Sequence, residues 1–492
     1  MTRLGPLSAV AVLGGIGLLM VSPIVDPDLW WLLRAGRYII ETRSFPTTDP
    51  FSASAAGAEW VNHAWGFELI LYGVYRLAGT TGLIVMQALF AVATFGLLYG
   101  HLRREQVGRG WALAAVALGA LATRGFWVPR PQLVTYLFLA LFWVILRESR
   151  DGRRDRLLWL VPLMVVWVNL HGGFAIGPAL LGLCLVAELF QWAFRGDGPA
   201  PDGRRLARLA SVGVGCGLAT LVNPFHYRAV LFPFQVLGDH VARDMIAEWA
   251  SLPFHHPQAM LLEGLILLTL VLLLRTPRPV PWGDLLVLVV FVHLALQAIR
   301  NTPLFVILLV PILGRLLAEA GAGVTPALVA LGDGIRRRWG AASTAIVAVA
   351  IVPAMAWWTL PVRGLEEFRP QLGLAADVFP ARAVEFLKRE PRTGAMFNDY
   401  YWGGYLIWHL YPQYRVSIDG RAAVYGPRGL AAHAEIDEVG PRWRQTLDRS
   451  GVGLALIRTH SPLARALRAS PDWEVLYEDQ LAIILAKQGK GP

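Results

Sequence analysis

Asp26-Pro27-Asp28-Leu29-Trp30-Trp31 follows directly on the apolar run from Pro6 to Val25, and this junction decides how the chain is read. The run is almost wholly apolar and long enough to cross a bilayer. The acids and aromatics after it therefore fall at the membrane surface, beside lipid head groups. A single basic residue, Arg3, precedes the run and no small-residue cleavage signal follows Ser22-Pro23, so the segment is expected to remain as an anchor.

The composition agrees with that start. A chain of 492 residues with 55% hydrophobic and 16% charged residues and a mean hydropathy of +0.47 has too little polar surface to cover a soluble globule. Its net charge of +10 comes mostly from arginine clusters between apolar segments. Such clusters face the cytoplasm and anionic lipid, which excludes nucleic acid as the partner. Cys184 and Cys216 both lie inside apolar segments, so neither a disulfide framework nor a thiolate metal site is expected.

Apolar stretches run over residues 6–25, 66–100, 111–123, 131–147, 157–170, 174–194, 206–222, 259–275, 281–300, 302–318 and 340–360. They predict a polytopic α-helical membrane protein with about 11 transmembrane helices. The stretch from Trp65 to Gly100 is too long for one span and carries Glu68 and Arg76, so its first half is expected to be interfacial. The arginines at 103–109, 147–156, 204–208 and 336–338 are placed inside by the positive-inside rule. The outer loops are then 26–64, 124–130, 171–173, 223–258, the turn at Arg300-Asn301, and everything after about 361. These loops also hold the unusual polar motifs, so charge bias and motif position both point to an extracytoplasmic working face.

From about Pro361 apolar runs shorten and alternate with charged helical stretches. Helices are predicted at 381–390, 404–409, 429–449 and 461–469. Strands are predicted at 394–397, 416–418, 452–457, 473–477 and 481–486. The predicted division is a transmembrane domain over 1–360, carrying the first outer loop 26–64, and an extracytoplasmic three-layer α/β domain over 361–492.

The run Asp28-Leu29-Trp30-Trp31-Leu32-Leu33-Arg34-Ala35-Gly36-Arg37, followed by Phe45-Pro46-Thr47-Thr48-Asp49-Pro50-Phe51, resembles the first outer loop of GT-C glycosyltransferases. Arg130-Pro131-Gln132, Trp167-Val168-Asn169-Leu170-His171-Gly172-Gly173, Asn223-Pro224, Glu248-Trp249 and Arg300-Asn301 fall at points matching a broad bacterial branch of that superfamily. Phe397-Asn398-Asp399-Tyr400-Tyr401-Trp402-Gly403-Gly404-Tyr405 and Ile418-Asp419-Gly420-Arg421 add to the likeness in the C-terminal part. The resemblance implies a multi-pass enzyme of the bacterial inner membrane that moves a sugar from a polyprenyl-phosphate donor to an extracytoplasmic glycan, lipid or protein acceptor. It implies an acid in the position of Asp28. Many relatives carry an Asp-Glu pair there, and this chain has Leu29 in place of the Glu. The second carboxylate would then come from Asp26, Asp49 or Glu59, or be absent.

Such a transfer needs a base for the acceptor hydroxyl and cations for the departing lipid phosphate. Asp28 is the first candidate base and Asp26 the second. Both would equally serve to cap a surface helix starting at Leu29. Arg130 and Arg300 are the candidate phosphate ligands, with snorkelling to head groups as the ordinary alternative. His171, His63, Asp49, Trp31, Asn301 and Glu248 are further candidates for substrate contact. Asp26, Asp28, Asp49 and His63 would make an oxygen-rich site for Mg2+ or Mn2+, although their irregular spacing equally fits a histidine satisfied at the interface. Trp402 to Tyr405 would make either a sugar-stacking surface or, as preferred, a packing joint that docks this domain on the membrane part, and Asp419-Gly420-Arg421 a turn with a surface ion pair. The reading from another class is a non-catalytic envelope protein that binds lipid-linked glycan on the same scaffold.

Overall fold

A computed structural model describes residues 4–193, 203–238, 240–241, 246–331, 372–375, 377–392 and 395–488. The expected span at 340–360 lies outside these. Contacts divide the chain into two compact units: Met1–Ser22 with Ile84–Asn223 and Ala247–Leu372, and Pro23–Leu83 with Pro224–Ile246 and Gly373–Pro492. Compactness therefore groups the C-terminal residues with the first outer loop and part of the middle one, whereas the sequence suggested a division at residue 360.

The first unit is a helical bundle. Among the described residues, four helices are long and apolar enough to cross a membrane by length and composition: Trp65–Arg104, of which only the part from Ile84 belongs to this unit, Gln132–Arg150, Gly172–Ala193 and Ile299–Gly321. Shorter apolar helices run over Leu7–Leu19, Arg109–Ala122, Leu157–Leu170 and Trp282–Gln297. Trp65–Arg104 is broken where Ala78 and Gly79 leave helical geometry, with Gly79 at φ +58°. A change of character along this segment was expected from its length and charges.

Close helix contact depends on small residues, as it does wherever helices pack in apolar surroundings. Gly119 faces the Thr302–Leu331 helix, and a Cβ added there would meet Val310 at 2.6 Å. Trp143 Nε1 donates to the Leu308 carbonyl at 3.0 Å, satisfying a fully buried indole.

The second unit begins with the amphipathic helix Asp28–Thr42. It buries Leu29, Trp30, Leu32, Leu33, Ala35 and Ile39 while Arg37, Ile40 and Glu41 stay exposed. Arg34 and Gly36 are buried with them. The helix ends at Arg43, whose left-handed φ of 54° closes the last turn through a bond to the Ile39 carbonyl. Its buried face receives the helix Gly403–Leu410, and Trp30 meets both Phe379 and Tyr405 edge-on at 5.6 and 5.1 Å. Gly404 and Tyr405 are thus seated on the first-loop helix.

The sheet comprises β1 (Ala395–Asn398), β2 (Val452–Arg458), β3 (Trp473–Glu478) and β4 (Ala482–Lys487), in the order β1-β2-β4-β3. β1 runs parallel to β2, and β4 is antiparallel to both β2 and β3. Phe397, Ala455, Ile457, Ile483 and Leu485 form one buried cluster with Leu463, Leu467, Ile436 and Leu447 from the flanking helices. Met396, Leu454, Leu456 and Ile484, which alternate with them, are also buried. Helix Ala381–Arg389 packs on β3 and β4.

Two expectations for this unit are corrected. Residues 416–418 add no strand to the sheet, because Val416 makes only an isolated bridge to Ser52 and the segment serves the first loop instead. The helix expected over 429–449 is two, Ala422–Asp437 and Trp443–Arg449, separated where Val439 takes φ 57° and Gly440 follows.

His433 stacks on Phe397 at 4.6 Å, and neither ring nitrogen has a hydrogen-bond partner. Burial pushes its pKa down from 6.5 to about 4. A base depressed on folding takes up its proton only when the chain unfolds, so its effect is absent above pH 6.5 and destabilises as pH falls from there toward 4. This amounts to up to about 3 kcal/mol at the acid end. Unfolding followed by circular dichroism between pH 7.5 and 4.5 is expected to show a markedly smaller acid-induced loss for His433→Leu than for wild type.

Candidate active site

The acidic candidates belong to the second unit. The Asp28 backbone N–H donates to Asp26 Oδ1 at 2.8 Å, so the nearly buried Asp26 lies against the helix start, where Pro27 is the N-cap. Asp28 itself is only partly buried. Its Oδ1 accepts from Trp31 Nε1 at 3.0 Å, one turn along the same helix. Gly420 approaches the same carboxylate so closely that an added Cβ would lie 1.7 Å from Asp28 Oδ1. Gly404 is equally required, since its Cβ would meet the Pro27 carbonyl at 2.5 Å. Asp28 is therefore fixed on one side by an indole and on the other by bare backbone.

Gly420 is held by its neighbours. Asp419 is completely buried and Arg421 is 5% exposed, so the expected surface ion pair is instead an interior one. Arg421 donates Nε and Nη2 to the two oxygens of Asp419 at 2.8 and 2.7 Å, and Nη1 to Asp49 Oδ1 at 2.7 Å. Its guanidinium also lies 4.7 Å from the Trp60 ring and 5.1 Å from Phe51. Burial alone would lower the Arg421 pKa, but the Asp419 carboxylate outweighs it and holds the group well above its ordinary value. Tyr425 completes the set by donating its hydroxyl to Asp419 Oδ2.

Asp49 is fully engaged. It accepts from the Phe51 and Ser52 backbone N–H groups at 3.0 and 3.1 Å and from the Ser52 hydroxyl, besides Arg421. Glu59 pairs with Arg228 at 2.6 Å. Leu29, in the place of the second acid, has no exposed surface at all. His63 stacks on Phe232 at 4.4 Å. Among the described residues, no three His, Cys, Asp or Glu side chains come together as a metal site. Asp26, Asp28, Asp49 and His63 are thus not gathered for Mg2+ or Mn2+: Asp49 is committed to an arginine and Asp28 to an indole. Among the described residues, these four side chains do not form a site for a divalent ion.

The basic candidates belong to the first unit, and several are brought together there. Arg130 Nη1 donates to Glu248 Oε1 at 2.6 Å. Arg300 stacks over the adjacent Trp249 with Cζ 4.3 Å from the ring. The Ile299 N–H donates to the Ala250 carbonyl at 2.9 Å, joining the two short 3-10 turns that carry these residues. Asn301 Nδ2 instead closes the preceding helix on the Leu294 carbonyl at 2.9 Å. The Arg130 charge holds the Glu248 carboxyl below its usual range, and Arg300 adds to the effect. Two guanidinium groups thus lie beside one acid.

His171 Nδ1 lies 2.6 Å from Thr135 Oγ1 and receives the Gly173 N–H at 3.3 Å. Thr135 Oγ1 also accepts from Trp167 Nε1 at 3.0 Å. Gly173 has no room for a side chain, since a Cβ would sit 2.4 Å from Thr135 Oγ1.

Gly420 and Arg421 are the site residues that sequence reasoning missed as such. The signal was present in Asp419-Gly420-Arg421, but its acidic partner Asp49 lies 372 residues away.

This is the fold of the GT-C membrane glycosyltransferases. The solved structures that share it include ArnT from Cupriavidus metallidurans bound to undecaprenyl phosphate, with a TM-score of 0.56 and 16% identity over 98% of each chain. The archaeal oligosaccharyltransferase AglB from Archaeoglobus fulgidus, in complex with an inhibitory peptide and a dolichol-phosphate, has a TM-score of 0.58 and 11% identity over 92% of this chain and 69% of its own. The apo form of the oligosaccharyltransferase from the same organism gives a TM-score of 0.60 at 12% identity over the same shares. No protein-family profile matches the chain, and no curated protein matches it significantly.

Removing one partner of a buried ion pair costs roughly 3–5 kcal/mol, because the other charge is left uncompensated. Arg421→Met strands Asp419 and Asp49 in this way, and it is expected to lower the thermal unfolding midpoint strongly while Arg228→Met, at an exposed pair, leaves it nearly unchanged.

Proposed function

We propose that the chain is a glycosyltransferase that moves a sugar from a polyprenyl-phosphate donor to an acceptor outside the cytoplasm. The single observation that carries this reading is Asp28: a partly exposed carboxylate at the start of the first-loop helix, oriented by Trp31 and pressed against Gly420. The lipid phosphates bound to ArnT and AglB support the donor class.

In this reading Asp28 takes the proton of the acceptor hydroxyl as its oxygen attacks the anomeric carbon. The bond from that carbon to the phosphate oxygen breaks, and the lipid phosphate leaves with the electron pair. Arg130 and Arg300 neutralise the developing charge on the phosphate. Attack from the face opposite the phosphate inverts the anomeric configuration. Asp26 supports the helix that presents Asp28, and Trp31 holds its oxygen. His171, His63, Asn301 and Glu248 are assigned to substrate contact. Asp49 acts through Arg421 as a positioning residue. No metal is assigned a step.

The same reading places the first 360 residues in the bacterial inner membrane with about eleven crossings, and residues 361–492 outside as an α/β domain. The gathering of arginine-bearing segments at one end of the first unit supports it: Arg104 pairs with Glu148 and Arg208 with Asp155, while Arg205 donates to the Ser149 and Arg150 carbonyls.

Purified protein in lipid, given radiolabelled polyprenyl-phosphate sugars and envelope extract, is expected to transfer label. Asp28→Asn should reduce this at least 100-fold with donor binding retained, and full activity of a folded Asp28→Asn protein would exclude the assignment. Donor binding without turnover by wild type would favour the non-catalytic lipid-glycan binder. Arg130→Gln and Arg300→Gln should weaken donor binding about tenfold each. A chelator should leave transfer unchanged.

A further inference from the structure

Helices Gln132–Arg150 and Trp282–Gln297 each carry charged residues at one end. Arg130 and Arg300 flank one end of each helix, and at the other ends Arg147, Arg150 and Asp284 meet. Asp284 has no exposed surface, yet it faces three guanidinium groups: Arg147 at 2.8 Å, Arg150 at 2.7 Å and Arg315 at 3.4 Å. Arg147 is itself 1% exposed, so it is not a side chain reaching out to water. One carboxylate against three cations leaves charge that the surroundings must balance.

Beside this network lies a cavity of about 230 Å³, lined by five arginines and two acids. That volume far exceeds what a single water needs. The positive excess of the lining survives after Asp284 and Glu319, which pair with the same arginines, are counted. Three of the arginines are only loosely engaged. Arg153 lies 3.6 Å from Asp151 and 4.0 Å from Glu105, and Arg278 lies 3.5 Å from Glu319. Arg315 has the 3.4 Å contact to Asp284, and its buried Nε has no hydrogen-bond partner. Charge-assisted hydrogen bonds of guanidinium groups are shorter, at about 2.7–2.9 Å. The three come from separate segments, the turn after Arg150, the loop before Trp282 and the Thr302–Leu331 helix, and converge on one space.

We propose that this cavity is a binding site for a phosphate group, at the end of the bundle away from Arg130 and Arg300. Planar guanidinium forks suit tetrahedral oxyanions, and among the described residues the contacts of Arg153, Arg278 and Arg315 to acids are all 3.4 Å or longer. The phosphate belongs either to an anionic lipid head group or to a soluble phosphate compound, and the site is independent of the transferase reading.

The test uses the full chain in neutral detergent with phosphatidylcholine, in chloride buffer at constant ionic strength. Thermal unfolding is followed while inorganic phosphate or phosphatidylglycerol is titrated in. A saturable rise in the midpoint is expected. A rise with inorganic phosphate assigns a soluble ligand, and a rise with phosphatidylglycerol alone assigns a head group. Arg153→Gln/Arg278→Gln should raise the half-saturating concentration at least tenfold, whereas the control Arg154→Gln/Arg156→Gln, which removes equal charge outside the cavity lining, should change it less than twofold. If the first double variant fails to fold, Arg278→Gln alone carries the comparison, since that side chain is 77% exposed. No saturable rise with either titrant, or equal loss in test and control variants, overturns the proposal.

Discussion

Arg421 is a cation with almost no access to water, and the second unit is arranged so that it is never unpaired. A buried charge is tolerated only with a close counter-charge and its donors satisfied. Asp419 takes two of its donors, Asp49 a third, and Phe51 and Trp60 cover its planar surface. Asp49 can serve only because the Phe51 and Ser52 N–H groups fix its own oxygens. One guanidinium thereby ties the turn of the first outer loop to the turn after Ile418. The backbone between its two anchors, Gly420, is left lying against Asp28.

That arrangement bears on chemistry through what it removes as well as what it holds. Asp49 is spent on structure, Glu59 on Arg228, and Leu29 is core. Asp28 keeps partial access to solvent, and Asp26 sits directly beneath it at the helix start. A single oriented carboxylate suits a base that takes one proton, whereas a divalent ion would demand several acids converging on one point.

The first unit shows the cost of charge in an apolar bundle in another form. Its charged side chains collect at helix ends, where Arg130, Glu248 and Arg300 make one cluster and Arg147, Arg150 and Asp284 another. The 19-residue helix Gln132–Arg150 runs from one to the other, a rise of about 28 Å, close to the thickness of a bilayer's hydrocarbon core. Between the ends, small residues and satisfied indoles replace ion pairs, as with Gly119 and Trp143.

The sequence by itself determined what depends on neighbouring residues. The apolar lengths of the bundle helices and the short apolar runs of β2 and β4 are local patterns, legible without knowing which segments meet. The clustering of Arg130, Glu248 and Arg300 was half legible, since all three were singled out without knowledge that they touch. Tertiary structure alone decided the fate of the acids. Asp49 and Arg421 are 372 residues apart, and Arg147 and Asp284 are 137 apart, so no local rule could tell an interior ion pair from a surface one. The same holds for the segment 416–418, whose strand-like composition is spent on a single bridge to Ser52. Pairing and burial are properties of where distant segments meet, which is fixed by the packing of the whole unit and not by any stretch within it.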